Sequence, residues 1–219
     1  MPIYTAPTRD TRFVINEVLR LADYAALPGY ENATPDMVDA IVEEGGKFAA
    51  EVIAPLNAAG DRQGCTRNDD GSVSTPDGFR DAYARFCEAG WGTLSAPAQF
   101  GGQELPHVLG LVMEEYLCSA NQSFAMYPGL CSGAISAIRA KASTELQAKY
   151  LPKMISGEWL GTMNLTEPHC GTDLGLIRTR AVPQGDGSYA ITGTKIFISA
   201  GEHDLTDNII HLVLAKTPG

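Results

Sequence analysis

The spacing of apolar residues changes near Gly157, and this change limits the chain to folds that separate helices from strands. Before it, apolar residues recur every three or four positions, which indicates amphipathic helices. After it, short β-prone segments are separated by turn-forming residues. Helices followed by strands indicate an α+β protein and not alternating βαβ units. We predict an all-α helical bundle domain over residues 1–157 and an incomplete antiparallel, barrel-like β domain over residues 158–219.

Helix start signals divide the first part of the chain. Thr34-Pro35 and Thr75-Pro76 each place an N-cap residue before a proline at the first helical position. Pro106 opens another predicted helix, and a separate apolar stretch covers residues 129–142. Thr144 with Gln147 predicts a capping box for the last helix. Residues 60–74 are the most loop-like stretch of this part.

The second part of the chain contains four predicted strands. They cover residues 159–165, 178–182, 189–199 and 208–216. The sequence QGDG at residues 184–187 predicts a hairpin turn between the second and the third strand.

Composition excludes several classes of protein. The formal charge of −10 and the absence of a Lys/Arg-rich run argue against nucleic-acid binding. No stretch approaches the roughly 20 apolar residues of a transmembrane helix, and the first residues lack the pattern of a secretory signal. The five scattered cysteines fit neither a disulfide framework nor a zinc site. We therefore expect a cytoplasmic protein without a membrane span.

Common catalytic and cofactor motifs are missing from the sequence. It contains no dinucleotide-binding G-x-G-x-x-G after a strand, no phosphate-binding P-loop and no G-x-S-x-G nucleophile elbow. The four histidines show no metal-ligand spacing. His169 next to Cys170 invites a nucleophile interpretation, but neighbours in sequence rarely point at one another, so we expect a structural thiol.

Two short segments remain as candidates for a ligand site. The first, NLTEPHCGTD at residues 164–173, follows a predicted strand and offers the hydroxyls of Thr166 and Thr172. Gly171 lies where the backbone can approach a ligand closely. The second is KIFISAG at residues 195–201. The first segment can also be interpreted as a strand end followed by a turn that binds nothing.

These segments resemble the flavin-binding middle domain of acyl-CoA dehydrogenases. Residues 90–106 and 150–159 resemble two further stretches of that family, so the resemblance begins at about Asp36 and covers nearly the whole remaining chain. The segment TEPHCGTD most resembles the sequences of the branch that includes 3-(methylthio)propanoyl-CoA dehydrogenases.

The resemblance implies a set of FAD-binding residues: Met163, Leu165, Thr166, Gly171, Thr172, Phe197, Ile198 and Ser199. It also places Thr172 at the acyl-CoA substrate. Thr172 stands where the family usually has Ser, Phe197 replaces a usual Trp over the flavin ring, and Ser199 replaces a usual Thr. Cys170 and Leu176 stand where smaller residues are usual, which weakens the inference on the substrate side.

The resemblance further implies an FAD-dependent oxidoreductase that converts an acyl-CoA to the trans-2-enoyl-CoA. It implies a homo-oligomeric parent protein and an electron-transfer flavoprotein as the acceptor. The family's catalytic base comes from a C-terminal helical domain, so we expect no catalytic residue in this chain and expect the chain to be a fragment. The alternative is a non-catalytic ligand-binding or interaction module with the same fold.

Overall fold

A computed structural model describes residues 3–218, so Met1, Pro2 and Gly219 of the two predicted domains lie outside the described residues. The α-helices are Thr8–Phe13 (α1), Pro35–Phe48 (α2), Ala54–Gln63 (α3), Phe79–Glu88 (α4), His107–Lys141 (α5) and Thr144–Ile155 (α6). Short π-helical turns at Val14–Val18 and Ala49–Ile53 follow α1 and α2.

The strands form three two-stranded sheets. They are Thr66–Arg67 (β1), Val73–Ser74 (β2), Leu160–Asn164 (β3), Arg180–Pro183 (β4), Tyr189–Thr192 (β5) and Ile209–Val213 (β6). The pairs are β1 with β2, β3 with β6, and β4 with β5. The small hairpin β1–β2 falls in the stretch that the sequence indicated as a loop. The predicted α+β class is confirmed.

Two of the helix start signals act differently from the prediction. The Thr34 side chain caps α2 by accepting a hydrogen bond from the Met37 amide, as expected. Thr75 does not cap α4, because its hydroxyl and amide both donate to Asp204 and the helix starts after Gly78. The cap of α6 is Ser143 and not Thr144.

The two predicted helices after Pro106 form a single 35-residue element with a kink at Asn121. Asn121 has non-helical backbone angles, and its side-chain oxygen accepts a hydrogen bond from the Phe124 amide. The side chain therefore acts as an N-cap inside the element. The two halves of α5, before and after Asn121, can point in different directions for this reason.

The core of the molecule surrounds α5. The buried side chains of α5 include Leu109, Tyr116 and Phe124 on its apolar side. The Phe124 ring packs edge-to-face against the Phe79 ring of α4, with 5.8 Å between the ring centroids. The strand β3 packs directly against this helix, since Leu160 and Thr162 are buried. The helical part thus supports the strand from which the first candidate segment continues.

One strand pairing differs from the predicted incomplete antiparallel, barrel-like domain. The hairpin β4–β5 is antiparallel with the expected turn at residues 184–187, but β3 and β6 pair in parallel from Leu160 opposite Ile209 to Asn164 opposite Val213. Parallel pairing is possible because more than 40 residues connect these two strands. Residues 3–218 contain no closed barrel.

The predicted strand over residues 189–199 ends early, at Thr192. Gly193 follows with φ of +157°, and a Cβ atom there would lie 2.2 Å from the Thr179 hydroxyl and 2.8 Å from its Cα. The backbone then leaves the sheet, and Phe197 and Ala200 have positive φ angles. Residues 194–199 therefore form an irregular segment and not a strand.

No helix within the described part of the chain is long and apolar enough to span a membrane.

We predict that Gly193→Ala destabilises the protein by about 1–3 kcal/mol, because the new methyl group collides with the Thr179 backbone as well as its side chain. Urea denaturation followed by circular dichroism measures the change. Gly185→Ala is the matched control, since a Cβ at Gly185 meets no atom within 4 Å. Equal unfolding midpoints for the two variants would contradict the close approach of Gly193 to Thr179.

Candidate functional site

The two candidate segments lie side by side, joined by Lys195. Its ammonium group donates to the Leu165 carbonyl at 2.8 Å and to the Glu167 carboxylate at 2.9 Å. The next amide, that of Ile196, donates to the Thr166 carbonyl at 3.0 Å. Both carbonyls of the Leu165–Thr166 pair are therefore bound to the second segment.

Glu167 is the buried centre of this arrangement. Only 3% of the residue is exposed, and its carboxylate accepts hydrogen bonds from the amides of Arg178 at 2.7 Å and Thr179 at 2.9 Å as well as from Lys195. Desolvation alone would raise the pKa of Glu167. The hydrogen bonds from Thr179, Arg178 and Lys195 outweigh that effect and hold the pKa well below its usual range.

The Leu165–Thr166 pair forms an edge with free donors. Within residues 3–218 the amides of Leu165 and Thr166 have no hydrogen-bond acceptor, and the Thr166 hydroxyl has none either. Gly171 packs against the Thr166 side chain, so that a Cβ atom at position 171 would lie 3.1 Å from the Thr166 methyl group. This edge offers two N–H groups and one hydroxyl to a planar ligand with carbonyl oxygens.

The other predicted site residues lie around this edge without direct contacts to it. Thr172 and Ser199 are exposed, and Ile198 is partly buried. Phe197 is 89% exposed and has φ of +56°, so its ring projects from the irregular segment. Met163 is 37% exposed, on the strand that leads into the edge. The structure brings Leu165, Thr166 and Gly171 together with the second segment, and leaves the other five side chains as a surrounding surface.

Glu167 and Lys195 were not among the residues predicted for the site. Their signal in the sequence was weak. Lys195 is the one charged residue of the predicted strand 189–199, and Glu167 follows the predicted strand 159–165. Such a charge is solvated or has a partner. Both side chains are buried in the structure, which makes a partner necessary, but the sequence alone does not show that each is the partner of the other.

Glu167, His169 and Cys170 are residue types that can bind a metal ion, but their hydrogen bonds do not favour a metal site. One ligand atom each of Glu167, His169 and Cys170 lies within 4.8 Å of the others. The three hydrogen bonds of Glu167 occupy its carboxylate, and the His169 ring is 3.0 Å from the Leu176 carbonyl. We assign no metal to this group.

Glu167 also cannot serve as a general base. Its low pKa and its three donors hold it as a fixed anion, whereas a base must accept a proton during the reaction. We assign no catalytic residue within residues 3–218.

Comparisons with known proteins place the chain in a family. The family model described as "Acyl-CoA dehydrogenase, N-terminal domain" matches residues 36–158. The chain belongs to the acyl-CoA dehydrogenase family. The chain is 48% identical to 3-methylmercaptopropionyl-CoA dehydrogenase of Ruegeria pomeroyi over 98% of its own length and 36% of that protein.

Other relatives agree with this membership. Butyryl-CoA dehydrogenase of Syntrophomonas wolfei is 39% identical over 98% of this chain and 36% of its own length. The structure of an acyl-CoA dehydrogenase from Bacillus anthracis, complexed with FAD, has the same fold, with a TM-score of 0.67 and 23% identity over 85% of this chain and 30% of that one. The chain spans 36% of the length of the curated relatives named here.

The acyl-CoA dehydrogenase model ends at residue 158, before all eight predicted site residues. The matches to the two curated relatives extend over 98% of the chain and include both candidate segments. Membership in the family therefore rests on the helical part and on these relatives together.

We predict that Lys195→Met lowers the thermal unfolding midpoint by on the order of 10 °C, because it leaves the Glu167 carboxylate buried without its cation. Lys153→Met is the matched control. Lys153 is also paired with a glutamate, but that pair is about half exposed and contributes little. Differential scanning calorimetry measures the unfolding midpoints of both variants. Equal decreases in the two midpoints would contradict the structural role of the buried pair.

We further predict that the effect of Glu167→Gln depends on pH. The pKa of Glu167 is lowered in the folded protein, so its contribution to stability is fully present above the unfolded value of about 4.3 and is lost as the pH falls towards the folded value. Urea midpoints of wild type and variant should differ more at neutral pH than in acid below that value. A difference that is constant or grows in acid would show that the carboxylate is not stabilised as an anion.

Proposed function

We propose that this chain forms the helical domain, residues 1–157, and part of the flavin-binding β domain, residues 158–219, of an FAD-dependent acyl-CoA dehydrogenase. The observation that supports this function most is the edge at Leu165 and Thr166. Two unpaired amides and a hydroxyl are held in place there by Lys195 and Ile196. The FAD complex of the Bacillus anthracis relative supports the identity of the cofactor.

The donor set fits a flavin. An oxidised flavin carries carbonyl oxygens and a ring nitrogen along one edge, and these atoms need N–H or hydroxyl donors. Leu165 and Thr166 would bind this edge, and Ser199 would donate a hydrogen bond to the ring nitrogen N5. Phe197 with Met163 would cover the apolar part of the ring, with Ile198 beneath it. Gly171 and Thr172 would bind the pyrophosphate, since a turn with a glycine exposes its amides.

When bound, FAD would supply the hydride acceptor for the conversion of an acyl-CoA to the trans-2-enoyl-CoA, in which the α-proton and the β-hydride are removed. In this proposal the residues of the chain bind and orient the two reactants. Thr172 would lie at the junction of flavin phosphate and acyl-CoA. The proton acceptor would come from outside residues 3–218, and the electron acceptor would be an electron-transfer flavoprotein.

The proposed cellular context rests on the cysteines. All five cysteines are free thiols in the structure, which suits a reducing cytoplasm. The parent protein would be a homo-oligomer. The 48% identity to 3-methylmercaptopropionyl-CoA dehydrogenase makes a short acyl-CoA with a thioether the first substrate to test.

We predict that the chain binds FAD saturably and that Thr166→Val and Ser199→Ala each weaken binding by about 1–3 kcal/mol, because each removes one donor to a buried polar edge of the ring. Flavin fluorescence titration measures the affinities. Thr192→Val is the control. It removes an exposed hydroxyl at the end of β5 and should leave the affinity unchanged. Absence of saturable binding, or unchanged affinity in both site variants, would contradict the placement of the flavin.

A further inference from the structure

A network of three hydrogen-bonded side chains lies on the strand pair β3–β6, next to the proposed flavin edge. The Thr162 hydroxyl lies 2.6 Å from the Asn164 side-chain oxygen and 2.7 Å from Nδ1 of His211. Thr162 of β3 is paired in register with His211 of β6, so the three side chains stand on one face of this sheet. None of the three is among the eight residues predicted to bind FAD.

The burial of Thr162 decides the direction of the two hydrogen bonds. Thr162 is completely buried, so its hydroxyl has to find its partners within the protein. The hydroxyl has one proton and donates it to the Asn164 side-chain oxygen, which can only accept. The bond to His211 then needs a proton on Nδ1, because the Thr162 oxygen has no second proton to give. His211 is therefore held in a form that carries a proton on Nδ1.

The network reaches the flavin edge at Asn164, the last residue of β3. The peptide group between Asn164 and Leu165 has the Asn164 carbonyl on one side and the free Leu165 amide on the other. That carbonyl accepts a hydrogen bond from the Leu214 amide at 3.0 Å. Because a peptide group is planar and trans, the direction of its carbonyl also fixes the direction of its amide. The orientation of Asn164 therefore sets where the Leu165 N–H points.

The next peptide group of the edge has a different support. Lys195 binds the Leu165 carbonyl at 2.8 Å, and this contact fixes the Thr166 amide of the same peptide group. The strand pair β3–β6 thus holds the first free amide, and the second candidate segment holds the other. The first of these amides, that of Leu165, adjoins the network of His211.

We propose that His211 is a positioning residue for the flavin site. Through Thr162 it fixes Asn164, and in this way it directs the Leu165 amide at the flavin. This inference rests on the proposed function, because Leu165 donates to a flavin only if FAD binds at this edge. His211 acts through the two residues of β3, and its effect is to hold the donor in place before the ligand binds, which lowers the cost of binding.

Nitrogen NMR of protein with isotope-labelled histidine tests the network without any flavin. At a pH at which histidine is neutral, Nδ1 of His211 should carry the proton and Nε2 should not. The chain has four histidines, and the signal that is lost in His211→Asn identifies the right one. A proton on Nε2 would overturn the proposal, because a neutral ring could then not donate from Nδ1 to Thr162.

Amide hydrogen exchange separates the two supports of the edge. His211→Leu removes the donor, so the Leu214 amide should exchange about two- to tenfold faster, while the Ile196 amide on the second segment should not change. His211→Asn places its side-chain nitrogen where Nδ1 lies and should restore the protection of Leu214. Equal protection of Leu214 in the two variants would show that the His211 side chain does not fix Asn164.

Flavin fluorescence titration then tests the effect on the ligand. The affinity for FAD should fall about two- to tenfold in His211→Leu and in Thr162→Val, each of which removes one hydrogen bond of the network. His211→Asn and Thr162→Ser keep the hydrogen-bonding groups and should bind FAD like the wild type. Circular dichroism checks that all four variants are folded.

The titration also separates this inference from the proposed function. Equal FAD affinity in the wild type, His211→Leu and Thr162→Val would overturn the positioning role of His211 and leave the flavin site intact. Absence of FAD binding to the wild type would overturn the flavin function, and with it the role of His211 towards FAD, even where NMR finds the proton on Nδ1.

Discussion

The buried ion pair between Glu167 and Lys195 is the interaction on which the candidate site depends. A charged group removed from water is costly unless it is paired and hydrogen-bonded. The two residues are 28 positions apart in the sequence, and because both side chains are buried, each needs the other as its partner. The pairing binds the carbonyls of Leu165 and Thr166 to the second segment and leaves their amides without an acceptor among residues 3–218. The geometry of the proposed flavin site thus follows from the cost of burying two charges.

The rest of the fold holds this arrangement in place from two sides. The strand β3 packs against α5 and leads into the first segment. After the second segment, Asp204 accepts two hydrogen bonds from Thr75 of the helical part, and His203 lies edge-to-face on Tyr127 at 5.3 Å between ring centroids. Both candidate segments are therefore anchored to the helical part, which has a continuous core and is less free to move than the exposed site residues.

The sequence predicted the features that local chemistry determines. The change from helices to strands, the Thr34 cap and the hairpin turn at residues 184–187 each depend on a few adjacent residues, and all are found. Features set by distant residues were predicted wrongly: Thr75 bonds to Asp204 instead of capping α4, and the strand after β4 stops at Gly193 because Thr179 occupies the adjacent space. The positions of both candidate segments were visible in the sequence, whereas the ion pair that joins them was not, because no sequence pattern shows which buried charge finds which partner.

Amide hydrogen exchange at Ile196 tests the central claim most directly. The Ile196 amide donates to the Thr166 carbonyl, whereas the Leu214 amide donates to the Asn164 carbonyl of β3 and does not involve the ion pair. In the native protein both amides should be protected. In Lys195→Met, Ile196 should lose its protection while Leu214 keeps it, because only the contact between the two segments is released. Full protection of Ile196 in that variant would contradict the account, since the segments would then be held together without the pair.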